Sequence, residues 1–145
     1  LHYPLRRQRQ MCIRDRRSKG EFMEKKILIV DDAMFMRKSI RKILAEGGYT
    51  NVEEARDGEE ALALFGEYNP DLVLLDITMP GKSGLEVLEE ILTQDADASV
   101  VMCSAMGQEA VIQKAVVMGA RDFIVKPFRK DEFLRIVDSC FPIEK

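Results

Sequence analysis

Four consecutive apolar residues, Leu72, Val73, Leu74 and Leu75, run straight into an acid, Asp76, with Pro80, Gly81 and Gly84 close behind. A continuous apolar run of this length, bounded by turn residues, reads as a strand buried on both faces. Similar runs recur in "KKILIV" (25–30), "SVVMCS" (99–104) and "DFIV" (122–125), with a weaker edge-like run in "NVEEA" (51–55). Between them the apolar residues change to helical spacing. Met36, Ile40, Ile43 and Leu44 share one stripe, with Arg37, Lys38, Arg41 and Lys42 off it. Ala61, Leu62 and Phe65 form a second, and Leu85, Leu88 and Leu92 a third. A fourth helix is predicted over 108–118, and a fifth carries Phe133, Leu134, Val137 and Phe141. Asp57 with Glu60 resembles a capping box, while Gly47, Gly48, Gly119 and Pro142 read as stops. Five strands alternating with five helices predict an α/β fold, a parallel sheet with helices on both faces. Crossovers in such sheets are right-handed, and ligands bind along the edge where the strands' carboxyl ends lie.

Composition removes several classes of function. At 145 residues the chain is the size of one domain, and no apolar run approaches the length of a membrane span. Cys12, Cys103 and Cys140 are sparse and lack CxxC spacing, so they are expected to be reduced thiols in a cytoplasmic protein. The lone histidine, His2, near the first residue, gives no basis for histidine catalysis or a His-rich metal site. The net charge of -3 is unevenly spread: residues 1–22 hold seven Lys/Arg against Asp15 and Glu21, and the acidic excess lies beyond them. That leader has no apolar core and no periodicity, and Met23 stands directly before the first strand. It is expected to be a disordered or non-native segment, with the domain proper at 23–145. The acidic remainder argues against nucleic acid as a partner, as the hydropathy does against a membrane.

The strand ends carry the chemistry. The first strand delivers Asp31 and Asp32, the third Asp76, the fourth Ser104 and the fifth Lys126, which Pro127 follows. The second ends in Ala55 and offers nothing. Singly, each polar residue has an ordinary explanation: acids cap helices, serines begin turns, and a surface lysine is solvated. Their convergence from four strands on one rim asks for another. Like charges about 4 Å apart repel by roughly 4 kcal/mol at an effective dielectric near 20, so a cation belongs among the three acids. With only oxygen ligands on offer, a hard ion such as Mg²⁺ fits best. Ser104 can then donate to a phosphoryl oxygen and Lys126 can balance its charge, which suits a phosphoryl group carried on Asp76.

The set "IVDD", "LLDITMPGKSG", "CSA" and "VKPF" resembles a response-regulator receiver domain, and the resemblance covers residues 25 to about 141. The stretches "VDDAMFMRKSI" and "CSAMGQEAVIQKAVVMGARDFIVKPF" are most similar to stand-alone chemotaxis regulators. The resemblance implies a flavodoxin-like doubly wound sheet of order 2-1-3-4-5. It implies that Asp76 accepts phosphate from a phosphohistidine on a sensor histidine kinase. Asp32, Asp76 and the backbone carbonyl of Thr78 would ligate Mg²⁺, with Asp31 acting mainly through water. Ser104 and Lys126 would bind the phosphoryl oxygens, and the Lys126–Pro127 bond would be cis. Phe123 occupies an aromatic switch position but lacks a hydroxyl, and an aromatic that merely fills a gap beside the strand is the plainer alternative. Thr78 and Met106 occupy positions that tune dephosphorylation, and Met106 has no group to hold a hydrolytic water.

On this reading the protein is a phosphoacceptor regulator, an enzyme only toward its own phosphorylation and dephosphorylation. No output domain is expected after the fifth helix. The signal would leave through the face of the fourth helix, fifth strand and fifth helix, to the flagellar motor switch protein or another downstream partner. A phosphatase is a further partner the resemblance allows. A single-domain phosphorelay intermediate would use the same site. A hydrolase of the haloacid dehalogenase type is disfavoured, because it wants an acid two residues after the nucleophile, where Thr78 stands.

Overall fold

The computed structural model describes residues 25–141; the leader 1–22, Met23 and Pro142 lie outside the described residues. Short apolar runs form strands and amphipathic stretches form helices, in strict alternation: β1 (Ile27–Val30), α1 (Met34–Glu46), β2 (Val52–Ala55), α2 (Gly58–Tyr68), β3 (Leu72–Asp76), α3 (Gly84–Gln94), β4 (Val100–Ala105), α4 (Glu109–Met118), β5 (Asp122–Lys126) and α5 (Lys130–Ser139). The strands make one sheet of order β2-β1-β3-β4-β5, every pair parallel.

Side chains alternate across a strand, and this divides the core in two. Leu28, Val30, Val73, Leu75, Val100 and Met102 pack with α2, α3 and α4. Ile27, Ile29, Leu72, Leu74, Val101, Cys103 and Ile124 pack with α1 and α5. With a helical layer on each face, both parities must be apolar, which is why the inner strands read as unbroken runs. All five residues of β3, the central strand, are buried. Burying one Val or Leu contributes about 1.5–3 kcal/mol. The four that precede Asp76 therefore hold the strand against any repulsion the acid meets at its end.

Several boundaries differ from expectation. β1 starts at Ile27 rather than residue 25, because the Lys26 N–H donates to the Asp71 carboxylate (2.9 Å) instead of to a neighbouring strand. β4 is shifted by one residue, and β5 reaches Lys126, which pairs with Ala105. In α3 the fully covered residues are Val87, Leu88 and Ile91, with Leu85 and Leu92 at the margin. A leucine-only pattern passes over the Val and Ile on the face that meets the sheet.

The caps also differ. Asp57 accepts from the Glu60 N–H (2.9 Å), but Glu60 reaches back to the Arg56 N–H (2.8 Å) rather than to that of Asp57. The reciprocal capping box lies instead at the start of α3, between Ser83 and Glu86. Gly84, the next residue, cannot be replaced without displacement: a Cβ there would lie 2.4 Å from the Asp76 carbonyl oxygen and 2.7 Å from the Ile77 Cα. Its N–H donates to the Ile77 carbonyl at 2.8 Å. The glycine lets α3 begin directly against the exit of β3, which fixes the loop beyond Asp76.

Candidate functional site

The chain reverses its winding between β1 and β3, so the carboxyl ends of these two strands form the crevice of the sheet. Asp31 and Asp32 follow β1 and Asp76 closes β3. One carboxylate oxygen from each lies within 4.8 Å of the others, with Asp31 and Asp76 buried and Asp32 exposed. Lys126 reaches in from the end of β5, its Nζ 3.1 Å from Asp31 Oδ2 and 3.2 Å from Asp76 Oδ1. Burial opposes the charge on Lys126, but Asp76 and Asp31 outweigh it and raise its pKa, so the ammonium stays protonated. Burial also pushes the Asp76 carboxyl up and Lys126 pulls it back, with Asp31 adding to the rise; the net displacement is upward. Charge at the site is thus incompletely balanced, three acids facing one ammonium. The donor set is all oxygen, and the nearby Cys103 thiol, which burial pushes up to about 12, is no competing ligand. The cluster is suited to a hard divalent cation.

Ser104 is brought to the same edge but not into the cluster. Strand alternation places it on the parity of Val100 and Met102, which face α2–α4, whereas Asp76 and Lys126 share the parity of Leu74 and Ile124. Its Oγ is completely buried and has no hydrogen-bond partner among the described residues. Leaving a hydroxyl so placed costs about 1–3 kcal/mol, and it fits a site that gains an acceptor in another state. Thr78 sits exposed in the β3–α3 loop. Phe123, 38% exposed on β5, borders a cleft of about 800 Å³ that Met106, Gln108, Ile112 and Val116 also line. The ring therefore has open space beside it. The Lys126–Pro127 bond is cis, as expected.

Two sets of contacts had no sequence signal. Asp31 is held twice: its Oδ1 accepts from the Ala33 N–H (2.9 Å), and its backbone carbonyl accepts from Arg37 Nη1 (2.7 Å). Arg37 is held in turn by Glu54 on β2 (3.0 Å), which also takes Arg41 Nε at 2.7 Å. Burial works against the Glu54 charge, yet the hydrogen bonds from Arg41 and Arg37 prevail and keep its carboxyl below the usual range. The second strand, expected to offer nothing, thus supports Asp31 through Arg37. The other set is Gln108, whose amide joins the β4–α4 loop to Thr78 (Nε2 to Oγ1, 2.9 Å).

A doubly wound parallel sheet of this order, with an acid cluster at its switch point, is the flavodoxin-like architecture. The chain belongs to the response regulator receiver domain family, whose model matches residues 27–138. It is 50% identical over 115 residues to the chemotaxis protein CheY of Listeria monocytogenes, covering 79% of this chain and 97% of that protein. It is equally 50% identical over 112 residues to the protein CcdB of Bacillus subtilis, covering 77% and 93%. Among solved structures, a CheX–CheY–BeF₃–Mg²⁺ complex from Borrelia burgdorferi superposes with a TM-score of 0.77 at 38% identity, over 81% of this chain and 90% of that one.

Proposed function

We propose that this receiver is a phosphoacceptor of a two-component system, in which Asp76 takes a phosphoryl group from the phosphohistidine of a sensor histidine kinase. The observation that carries this is the pairing of a buried Asp76, ion-paired to Lys126, with a buried Ser104 hydroxyl that has no partner. Asp31, Asp32, Asp76 and the Thr78 carbonyl would hold Mg²⁺, which supplies charge neutralisation for the transferred group. The Asp76 carboxylate is the nucleophile, Lys126 balances the negative charge on the phosphoryl oxygens, and Ser104 donates to one of them. Positioning and charge compensation are most of what phosphoryl transfer requires, and β3 provides the positioning. With Mg²⁺ and acetyl phosphate, intact-mass analysis is expected to show one added phosphoryl group. Both EDTA and Asp76→Asn should abolish it. Undiminished labelling of Asp76→Asn would remove Asp76 from this role.

The α4–β5–α5 face is the docking surface in this reading, and the output is chemotactic control of the flagellar motor from the cytoplasm. The 50% identity to a protein named for chemotaxis supports that choice over a phosphorelay intermediate. The exposed Met106 side chain offers no hydrogen bond to a hydrolytic water, so the phosphate is expected to be lost slowly without a phosphatase. When Ser104 moves to its acceptor, Phe123 turns into the cleft beside it, and partial burial of the ring contributes about 1–2 kcal/mol. Phe123→Ala should therefore lose most of the affinity for a motor-switch peptide that a phosphate mimic confers on the wild type. An equal gain in both would leave Phe123 a packing residue.

The receiver proper is assigned to 23–145 and the basic leader to no role in it. A chain beginning at Met23 should keep the melting temperature and labelling rate of the full chain. A fall in either would make residues 1–22 part of the domain.

A further inference from the structure

Gln108 occupies the N-cap position of α4, yet its side chain makes no capping bond. Instead its Oε1 accepts from the Ala105 N–H at 2.7 Å, and its Nε2 donates to Thr78 Oγ1 at 2.9 Å. The orientation of the amide is dictated by Ala105, whose N–H can only donate. Gly107, at φ +90°, supplies the turn that brings the side chain back over the end of β4. One amide thus ties the loop leaving β3, which carries Asp76, to the loop leaving β4, which carries Ser104. The helix itself does not depend on either bond.

Ser104 and Ala105 are consecutive, and their environments are complementary. The Ser104 hydroxyl is buried with no partner, while the Ala105 N–H beside it is bonded to Gln108. A phosphoryl group on Asp76 brings new acceptor oxygens to this edge. A shift of the end of β4 that carries Ser104 toward one carries Ala105 with it. Gln108, which holds the Ala105 N–H and is itself tied to Thr78, opposes that shift.

We propose that Gln108 is a latch, a positioning residue that ties the β4–α4 loop to the β3–α3 loop in the unphosphorylated protein and slows phosphoryl transfer to Asp76. This rests on the reading of Asp76 as the phosphoacceptor. With acetyl phosphate as donor, the bond between phosphorus and the acetate oxygen breaks, a bond from phosphorus to an Asp76 carboxylate oxygen forms, and acetate leaves. The latch opens as that bond forms, so it bears on the forward rate and not on loss of phosphate from the finished adduct.

The test uses the full chain with Mg²⁺ and acetyl phosphate, following the adduct by intact mass. Gln108→Ala should label about five- to tenfold faster than wild type, the effect of releasing two hydrogen bonds. Its adduct should decay at the wild-type rate once donor is removed. Thr78→Val breaks one arm of the latch, so adding it to Gln108→Ala should bring no further acceleration, the non-additivity of two residues in one contact. Unchanged labelling by Gln108→Ala, or decay accelerated as much as labelling, would overturn the latch, the second by showing a general loosening of the loop. Failure of the wild type to label at all would instead overturn the phosphoacceptor reading, and the latch with it.

Discussion

Lys126→Met is expected to lose about 2–3 kcal/mol of folding free energy in EDTA and to recover much of it in saturating Mg²⁺. Lys126 is the only cation within ion-pairing distance of Asp31 and Asp76 among the described residues. Removing it leaves two acids side by side with side chains only 4% and 9% exposed. Breaking a buried ion pair from one side costs about 3–5 kcal/mol. The loss here falls at or below the bottom of that range because the Lys126 side chain is itself 21% exposed and water reaches the cluster. A divalent ion among the carboxylates would replace the lost positive charge, which separates this result from simple loss of packing. Phosphorylation should not recover with stability, because the ammonium would be missing where charge accumulates on the transferring group; a fall of about a hundredfold is expected. Chemical denaturation with and without Mg²⁺ measures the first effect and mass labelling the second. Equal stability of variant and wild type in EDTA would mean that the acids are relieved by solvent rather than by Lys126.

Arg37→Ala is expected to weaken Mg²⁺ binding by about tenfold to a hundredfold, the usual range for residues that orient a ligand without touching the ion. Arg37 donates to the Asp31 carbonyl at 2.7 Å and is fixed by Glu54 at 3.0 Å, so it sets the backbone from which Asp31 and Asp32 project. Its side chain is 13% exposed, which shields these bonds from water. Folding stability should fall too, by about 1–3 kcal/mol, because the Asp31 carbonyl loses that donor. Glu54→Gln keeps an acceptor for Arg37 and should retain most of the affinity. Calorimetric titration with Mg²⁺ distinguishes the outcomes. A variant with lowered stability and wild-type affinity would make Arg37 only a clamp between β2 and α1.

The architecture was legible because it rests on local signals. Runs such as Leu72–Leu75 announce strands by being short, unbroken and bounded by turn residues, and the stripes between them announce helices through the period of 3.6. Position at a strand end is likewise a property of sequence, so Asp31, Asp32, Asp76, Ser104 and Lys126 could be singled out without coordinates, as could the cis bond before Pro127 through resemblance. The capping box at Ser83 and Glu86 is an S-x-x-E pattern of the same kind as the one at Asp57, where only the Asp57 half forms. Arg37 was not legible. It looked like one more basic residue off the apolar stripe, and its partner Glu54 stands 17 residues away on a strand judged empty of function.

What the sequence determined by itself is therefore which elements form, in what order, and which chemical groups arrive at the carboxyl edge of the sheet. Tertiary structure decided how those groups meet. It drew Lys126 between Asp31 and Asp76 across 95 and 50 residues, left the Ser104 hydroxyl buried without a partner, and tied Gln108 to Thr78 across 30. The physical reason is range. Periodicity and turn chemistry act over a few residues and survive without knowledge of the rest of the chain. A hydrogen bond is made or lost over tenths of an ångström, between backbones that only the packed sheet and its two helical layers bring side by side.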